Sequence, residues 1–403
     1  LPDAKTIKYI DPNSSPAPVA SSKKTVSNKP KADLQTRSLL NDLIGGTINY
    51  TRSSMADNSL PTKNAIDQAR QIITEAQKRL SFIGGDLDAQ IADKDLRNFS
   101  GELYRRIPKI KPVGTPDATW ILSQNNIFSW NQDLDAFESA LTGQVNDPSN
   151  KDEEQDSFHG LPLHMEWIDP KTDLGKFLHF WWPKASANVH AGIGQMRIKN
   201  LWKVDRHGDD AAFIKAQDEI YSSVKNKKQE SEKPLFQPSE RLDLDPSRRE
   251  VSNITNSSLL FHGTRTVNVK GILEKSLLLP KQLVGVAING AMFGPGIYWA
   301  DDWRKSAGYT SLRGSYWSKG SGGLNNRDAF MFAADVALGQ AHVAPRTHGY
   351  TSPPDGNHCV FGMGRNHPTA NKYRGGSGVQ NNEWIVFKNS QSRLRYLAEF
   401  DTK

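Results

Sequence analysis

The chain has 403 residues, a formal net charge of +7 and one cysteine, Cys359. This length allows two or three domains with their own cores. A lone thiol excludes an internal disulfide framework and any cysteine-based zinc cluster, and it suits a reducing compartment. Mild basicity permits a nucleic-acid partner without requiring one. No apolar stretch approaches the roughly 20 residues a membrane span needs, and no secretory start is present. A soluble intracellular protein with no membrane partner is expected. The first residue is Leu1 rather than Met, so the chain reads as a processed or trimmed piece of something longer.

Residues 1–32 are rich in Pro, Ser and Lys. Pro12, Pro16, Pro18 and Pro30 break any helix, so the segment is expected to be a disordered linker. Lys23, Lys24, Lys29 and Lys31 make it basic, and the alternative is a nuclear address or a DNA-touching arm. Residues 33–146 turn helical. Leu39, Leu40, Leu43 and Ile44 form one face of a first helix, which Gly45-Gly46 is expected to stop. Ile66, Ala69, Ile73, Ala76 and Leu80 place an apolar stripe on a long second helix between Pro61 and Gly84-Gly85. Shorter helices are expected over 86–91, 99–107 and 129–141. Such stripes bury one another in a helical bundle. Asp133, Asp135 and Glu138 read as a solvated acidic face, with a regulatory contact to the next domain as the alternative.

Residues 146–156 are acidic and polar and mark a boundary. Beyond them, over 157–403, the chain becomes aromatic and strand-like, with Trp167, Trp181-Trp182 and Trp202 marking packed segments. Strands are expected over 196–204, 259–261, 296–300, 329–338, 358–361, 383–387 and 394–400. The charged stretch 225–250 reads as a surface insertion. The C-terminal strands lie too close together for long crossover helices, which favours largely antiparallel sheets. The expected class is therefore α+β, an all-helical bundle followed by antiparallel sheets.

The familiar cofactor cradles are missing. No phosphate-binding G-x-x-x-x-G-K-[ST] loop occurs, and Gly376-Ser377-Gly378 lacks a third glycine. No histidine pair has helix-borne metal spacing, so no metal is expected. His342, His348, His358 and His367 read as surface or turn histidines, and Cys359 as structural. Three strand-borne polar residues are left: His262 at the end of an apolar strand, Tyr298, and Glu383 at the start of Glu383-Trp384-Ile385-Val386-Phe387. Each has a bland alternative, a core aromatic for the tyrosine and a solvated edge for the carboxylate.

Taken together, five ordered segments resemble the catalytic domain of the poly(ADP-ribose) polymerases. They are His262-Gly263-Thr264-Arg265-Thr266, Met292-Phe293-Gly294-Pro295-Gly296-Ile297-Tyr298, Lys305-Ser306-Ala307-Gly308-Tyr309, Val336-Ala337-Leu338-Gly339 and Asn382-Glu383-Trp384-Ile385-Val386-Phe387. Phe99-Ser100-Gly101-Glu102-Leu103-Tyr104-Arg105-Arg106-Ile107-Pro108 resembles part of the helical regulatory domain that precedes it in that family. The resemblance implies an ADP-ribosyltransferase fold of two packed sheets over 157–403, with nicotinamide adenine dinucleotide (NAD+) as co-substrate. It implies that His262 holds the adenosine ribose, that the Gly263 backbone and Ser306 hydroxyl hold the carboxamide, and that Tyr309 and Tyr298 flank the nicotinamide. Glu383 is implied as the catalytic carboxylate, with Lys305 a further candidate near the reacting end, although by itself Lys305 reads as a surface lysine. It further implies protein acceptors including the enzyme itself, DNA sensed through upstream domains, a nuclear location, and inhibition by the helical domain.

Several positions depart from the family pattern. Asn381 stands where chain-forming members carry a tyrosine, so poly versus mono transfer stays open, as does a non-catalytic NAD+ or ADP-ribose-binding module. The loop 279–286 diverges, the regions around Trp181-Trp182 and 225–250 have no counterpart, and the C-terminal Glu399-Phe400-Asp401-Thr402-Lys403 lacks a Leu-Trp ending.

Overall fold

The computed structural model of this chain describes residues 32–110, 120–145, 158, 160–186, 196–226, 231–238, 241–279, 292–311, 328–373 and 375–402. The expected linker apart from Ala32, the expected boundary at 146–156 and the loop from 280 to 286 lie outside them.

Helix α1 (Leu34–Ser54) starts where the Asp33 carboxylate accepts a hydrogen bond from the Thr36 amide at 2.7 Å. It runs on through Gly45-Gly46, where the sequence predicts a stop. A glycine inside a helix costs only about 1 kcal/mol. The buried face of Leu39, Leu40, Leu43 and Ile44 continues beyond it through Thr47 and Thr51, and burial of that stripe outweighs the cost. Helix α2 (Lys63–Ile83) follows its predicted stripe, capped by Thr62 and ended by Gly84 at φ 80°. Helix α3 (Leu87–Ala92) is capped by Asp86, and α4 (Lys94–Arg106) by Asp93, so α4 begins five residues before the predicted start. Helix α5 is Ile127–Val145. Ile66, Ile73, Leu96, Leu103, Leu134 and Phe137 are the centre of the bundle core.

The sheet region opens with strand β1 (Leu163–Trp167) and helix α6 (Asp173–Lys184). Trp181-Trp182 lie on α6 and not on a strand. Thr172 caps that helix, and the two indoles pack on Phe261 at ring separations of 5.2 and 5.1 Å. Next come β2 (Met196–Arg206), α7 (Asp209–Val224), α8 (Arg249–Ile254), β3 (Ser257–Thr264) and α9 (Thr266–Lys275). They are followed by β4 (Ile297–Trp299), α10 (Trp303–Ala307), β5 (Asp328–Ala337), β6 (Ala341–Val343), β7 (Cys359–Gly362), β8 (Glu383–Val386) and β9 (Ser392–Thr402).

One sheet has the order β1-β2-β9-β5-β3 and the other β4-β8-β7-β6. Among the described strands every pairing is antiparallel except β6 with β7, so the α+β class with two largely antiparallel sheets holds. Between the sheets lies an apolar core that takes Trp202, Leu260, Phe332 and Leu397 from the first sheet and Trp299, Phe361, Trp384 and Val386 from the second. Leu39, Leu40 and Leu43 of α1 join that same core, and the Asp33 carboxylate also accepts from the Trp167 amide at 2.9 Å. Ala32–Lys403 form one compact unit. Among the described residues, no helix is long and apolar enough to cross a membrane.

The stretch 225–250 is not simply a surface insertion. The Gln237 side chain bonds both the amide and the carbonyl of Leu259, at 2.9 and 3.1 Å, and so covers part of the edge of β3. Arg241 pairs at 2.7 Å with the buried carboxylate of Asp335, which also holds Arg393. A run of charge in sequence does not reveal that its partners wait on β5 and β9.

Candidate active site

Three short strands bring the candidate residues together. Phe261 on β3 and Ala300 just after β4 exchange two backbone hydrogen bonds, 2.8 and 3.0 Å long, which stitch one sheet to the other. In the second sheet Tyr298 lies opposite Ile385 and Trp299 opposite Trp384. Side chains alternate along strands, so Tyr298, Ile385 and Glu383 share one face while Trp299 and Trp384 enter the core between the sheets.

His262 is not at the end of its strand, because Gly263 and Thr264 continue the pairing with β5. Its ring lies edge-on to Trp299 with centroids 5.8 Å apart, and Nδ1 is 3.1 Å from the Tyr298 carbonyl oxygen. A carbonyl can only accept, so Nδ1 carries the proton and, in the neutral ring, Nε2 is left as an acceptor. Burial lowers the pKa of this histidine, with the hydrogen bond to Tyr298 opposing the shift, which favours the neutral form.

A glycine is required at 263 for a reason internal to the protein. A Cβ there would sit 1.8 Å from the Ser306 carbonyl oxygen of α10. Ser306 is buried and is not the helix cap; Asp302 is, accepting from the Arg304 amide at 2.9 Å. Tyr309 follows α10, its amide bonded to the Ser306 carbonyl at 3.0 Å and its side chain exposed. The Tyr298 hydroxyl donates to the Gly294 carbonyl and accepts from the Phe293 amide, both at 2.9 Å. Burial, and then the nearby Glu383 carboxylate, push its pKa up, with the Phe293 amide opposing them.

Lys305 also departs from expectation. It is not a surface lysine, since its side chain is only 10% exposed. Its Nζ stands 2.7 Å from a Glu383 carboxylate oxygen and donates to the Asn382 carbonyl at 3.0 Å. His262 is therefore joined to the Tyr298 backbone, Gly263 to Ser306, and Lys305 to Glu383. A carboxylate fixed this way can stabilise developing positive charge and take a proton from a hydroxyl.

Two further features lie around the site, the second of them the contact to the next domain that the sequence offered as the alternative for Asp133. Asp301 is buried and bonded to Asn382; an Asp301-Asp302 pair ahead of a helix resembles capping chemistry, and only Asp302 caps. Asp133 is buried too, rather than part of a solvated face. Lys109 pairs with it at 2.5 Å and Arg265 at 3.2 Å, and the Tyr50 hydroxyl donates to it at 2.8 Å. Burial alone would raise its pKa, but the two cations outweigh burial and hold it low. Arg265 directly follows the strand that carries His262, so α5 is wired to the entry of α9. Lys270 of α9 reinforces this by bonding the Ser139 carbonyl at 3.1 Å and the Thr142 hydroxyl.

Residues 183–402 match the family model described as poly(ADP-ribose) polymerase catalytic domain. The chain is 24% identical over 360 residues to poly(ADP-ribose) polymerase 1 of Gallus gallus, a match covering 84% of this chain and 30% of that protein. It is 30% identical over 367 residues to the protein of the same name from Oryza sativa subsp. japonica, covering 84% and 31%. Over 156 residues it is 27% identical to protein mono-ADP-ribosyltransferase PARP4 of Mus musculus, covering 38% and 7%. The chain thus spans about 30% of the length of the first of these relatives.

Proposed function

The chain belongs to the poly(ADP-ribose) polymerase family, and from that premise we propose that it transfers ADP-ribose from NAD+ to protein acceptors, itself included. The observation that carries this reading is the half-buried Glu383–Lys305 pair on the same sheet face as Tyr298. The glycosidic C–N bond breaks, nicotinamide leaves as a neutral base, and the ribose carries positive charge in an oxocarbenium-like state. Glu383 stabilises that state. It then orients an acceptor hydroxyl or carboxyl and takes up its proton as the new C–O bond forms. The neutral His262 accepts from an adenosine ribose hydroxyl through Nε2. Gly263 and Ser306 hold the carboxamide. Tyr309 and Tyr298 flank the ring, where aromatic stacking contributes about 0.5–1.5 kcal/mol. Lys305 keeps Glu383 in place beside the reacting carbon.

We propose further that residues 33–146 are a regulatory domain restraining residues 157–403, and that residues 1–32 are a tether. The Asp133–Arg265 pair and the Lys270 bonds support the restraint. Release would come from DNA damage sensed by modules upstream, in the nucleus, a reading that rests on similarity to the chicken and rice polymerases. Elongation to polymer is the first reading, and Asn381 favours the second, transfer of one ADP-ribose. Feeding labelled NAD+ and running a gel separates them. A ladder or smear on the protein means polymer, one sharp shift means single transfer, and no label at all overturns transferase activity.

A further inference from the structure

The residues before and after Glu383 hang on a single buried oxygen. On β8 and the residue just before it, the side chains of Trp384 and Asn382 point away from the face that Glu383 occupies. Both reach Asp301, which is 2% exposed. Its Oδ2 accepts from Asn382 Nδ2 at 2.8 Å and from Trp384 Nε1 at 3.4 Å. A third donor, the Leu235 amide, reaches the same oxygen at 2.9 Å. The remaining freedom of the two neighbours is removed elsewhere. Asn382 Oδ1 accepts from the Gly364 amide at 3.0 Å, and the Trp384 indole stacks on Phe361 with ring centroids 3.9 Å apart. Asp301 is anchored in turn, since Ala300 before it makes the two backbone bonds to Phe261 and Asp302 after it caps the helix that carries Lys305.

We propose that Asp301 is a positioning residue for Glu383, a role that rests on the catalytic reading of Glu383 above. It acts by clamping the backbone on both sides of that carboxylate, so that the side chain leaves the sheet at one fixed angle beside Lys305. Charge-assisted hydrogen bonds to a buried carboxylate are roughly twice as strong as neutral ones, which suits a clamp on a strand of four residues. Because Asp301 touches neither the Glu383 side chain nor the face it occupies, its loss changes where the carboxylate sits and leaves NAD+ contacts in place. A misplacement of about 1 Å costs on the order of 100-fold in rate.

The test is steady-state NAD+ consumption by the whole chain, with thermal unfolding of each variant alongside. Asp301→Ala lowers kcat by about 30- to 100-fold while KM for NAD+ stays within about twofold. Asp301→Asn, whose amide oxygen can accept the same three donors, recovers at least about tenfold of that loss. In a Glu383→Gln background Asp301→Ala has little further effect, because a misplaced amide has no catalytic carboxylate to lose. Where Asp301→Ala does not fold, Asn382→Ala removes one of the two anchors and gives a smaller fall in kcat at constant KM. A parallel rise in KM, unchanged kcat, or no recovery with asparagine overturns the proposal. An active Glu383→Gln enzyme, by contrast, overturns the catalytic reading on which it rests.

Discussion

At the scale of single residues, the chemistry turns on which atoms are left free. The bond to the Tyr298 carbonyl fixes the proton of neutral His262 on Nδ1 and presents Nε2 as an acceptor. Burial holds its pKa below the usual imidazole value. As pH falls through about 6.5 the unfolded chain takes up a proton that the folded chain refuses until its lower value is reached. Stability from this site is therefore complete above that range and is lost on acidification. Comparing urea unfolding at pH 7.5 and 5.5, the loss on acidification is smaller in His262→Gln than in the wild type; equal losses contradict the assignment. Gly263 gives a second residue-scale test. With a Cβ 1.8 Å from the Ser306 carbonyl oxygen, Gly263→Ala destabilises the protein by about 3 kcal/mol or more, read as a drop in Tm, and an unchanged Tm contradicts the contact. His262, Tyr298 and Glu383 were singled out by the ordered segments that resemble the family, since their apolar flanks alone left bland alternatives open. The sequence could not show that Lys305 is drawn inside by Glu383, nor that Asp301 holds Asn382, because both depend on strands distant in sequence meeting in space.

At the scale of elements, the wiring from α5 to α9 is the feature with functional reach. Arg265→Ala leaves Asp133 buried with Lys109 and Tyr50 still as partners, so it costs less than the about 3–5 kcal/mol of a buried charge left with no partner. If α5 restrains the site, basal NAD+ turnover in Arg265→Ala rises several-fold; lower turnover in a folded variant argues that the pair serves stability alone. A substitution is the sharper instrument than removal of residues 33–146, because Leu39, Leu40 and Leu43 of α1 belong to the core between the sheets and their removal would expose it. Element limits were legible for α2, which Pro61 and Gly84-Gly85 bracket, and not for α4, whose Asp93 cap starts it ahead of the predicted position. Thr62 and Gly84 bound α2 as its stripe predicts. They were not legible where tertiary burial overrides local propensity, as at Gly45-Gly46, or where an aromatic pair serves a helix as readily as a strand, as in α6.

At the scale of the whole molecule, two sheets closed over one aromatic core hold β3, β4 and β8 in fixed relation, and a helical layer leans on the same core through α1. The order of strands could not be read from local pattern, since β9, last in the chain, lies at the centre of its sheet between β2 and β5. The α+β class could be read, because closely spaced strands leave no room for crossover helices. We propose that this framework fixes Glu383 for ADP-ribose transfer. This role is tested most directly by incubating the wild type and Glu383→Ala with labelled NAD+, with and without nicked DNA, and measuring nicotinamide release and label on protein. The wild type is expected to label protein and release nicotinamide, and Glu383→Ala to lose both by at least about 100-fold; equal nicotinamide release by the two proteins would contradict this role for Glu383.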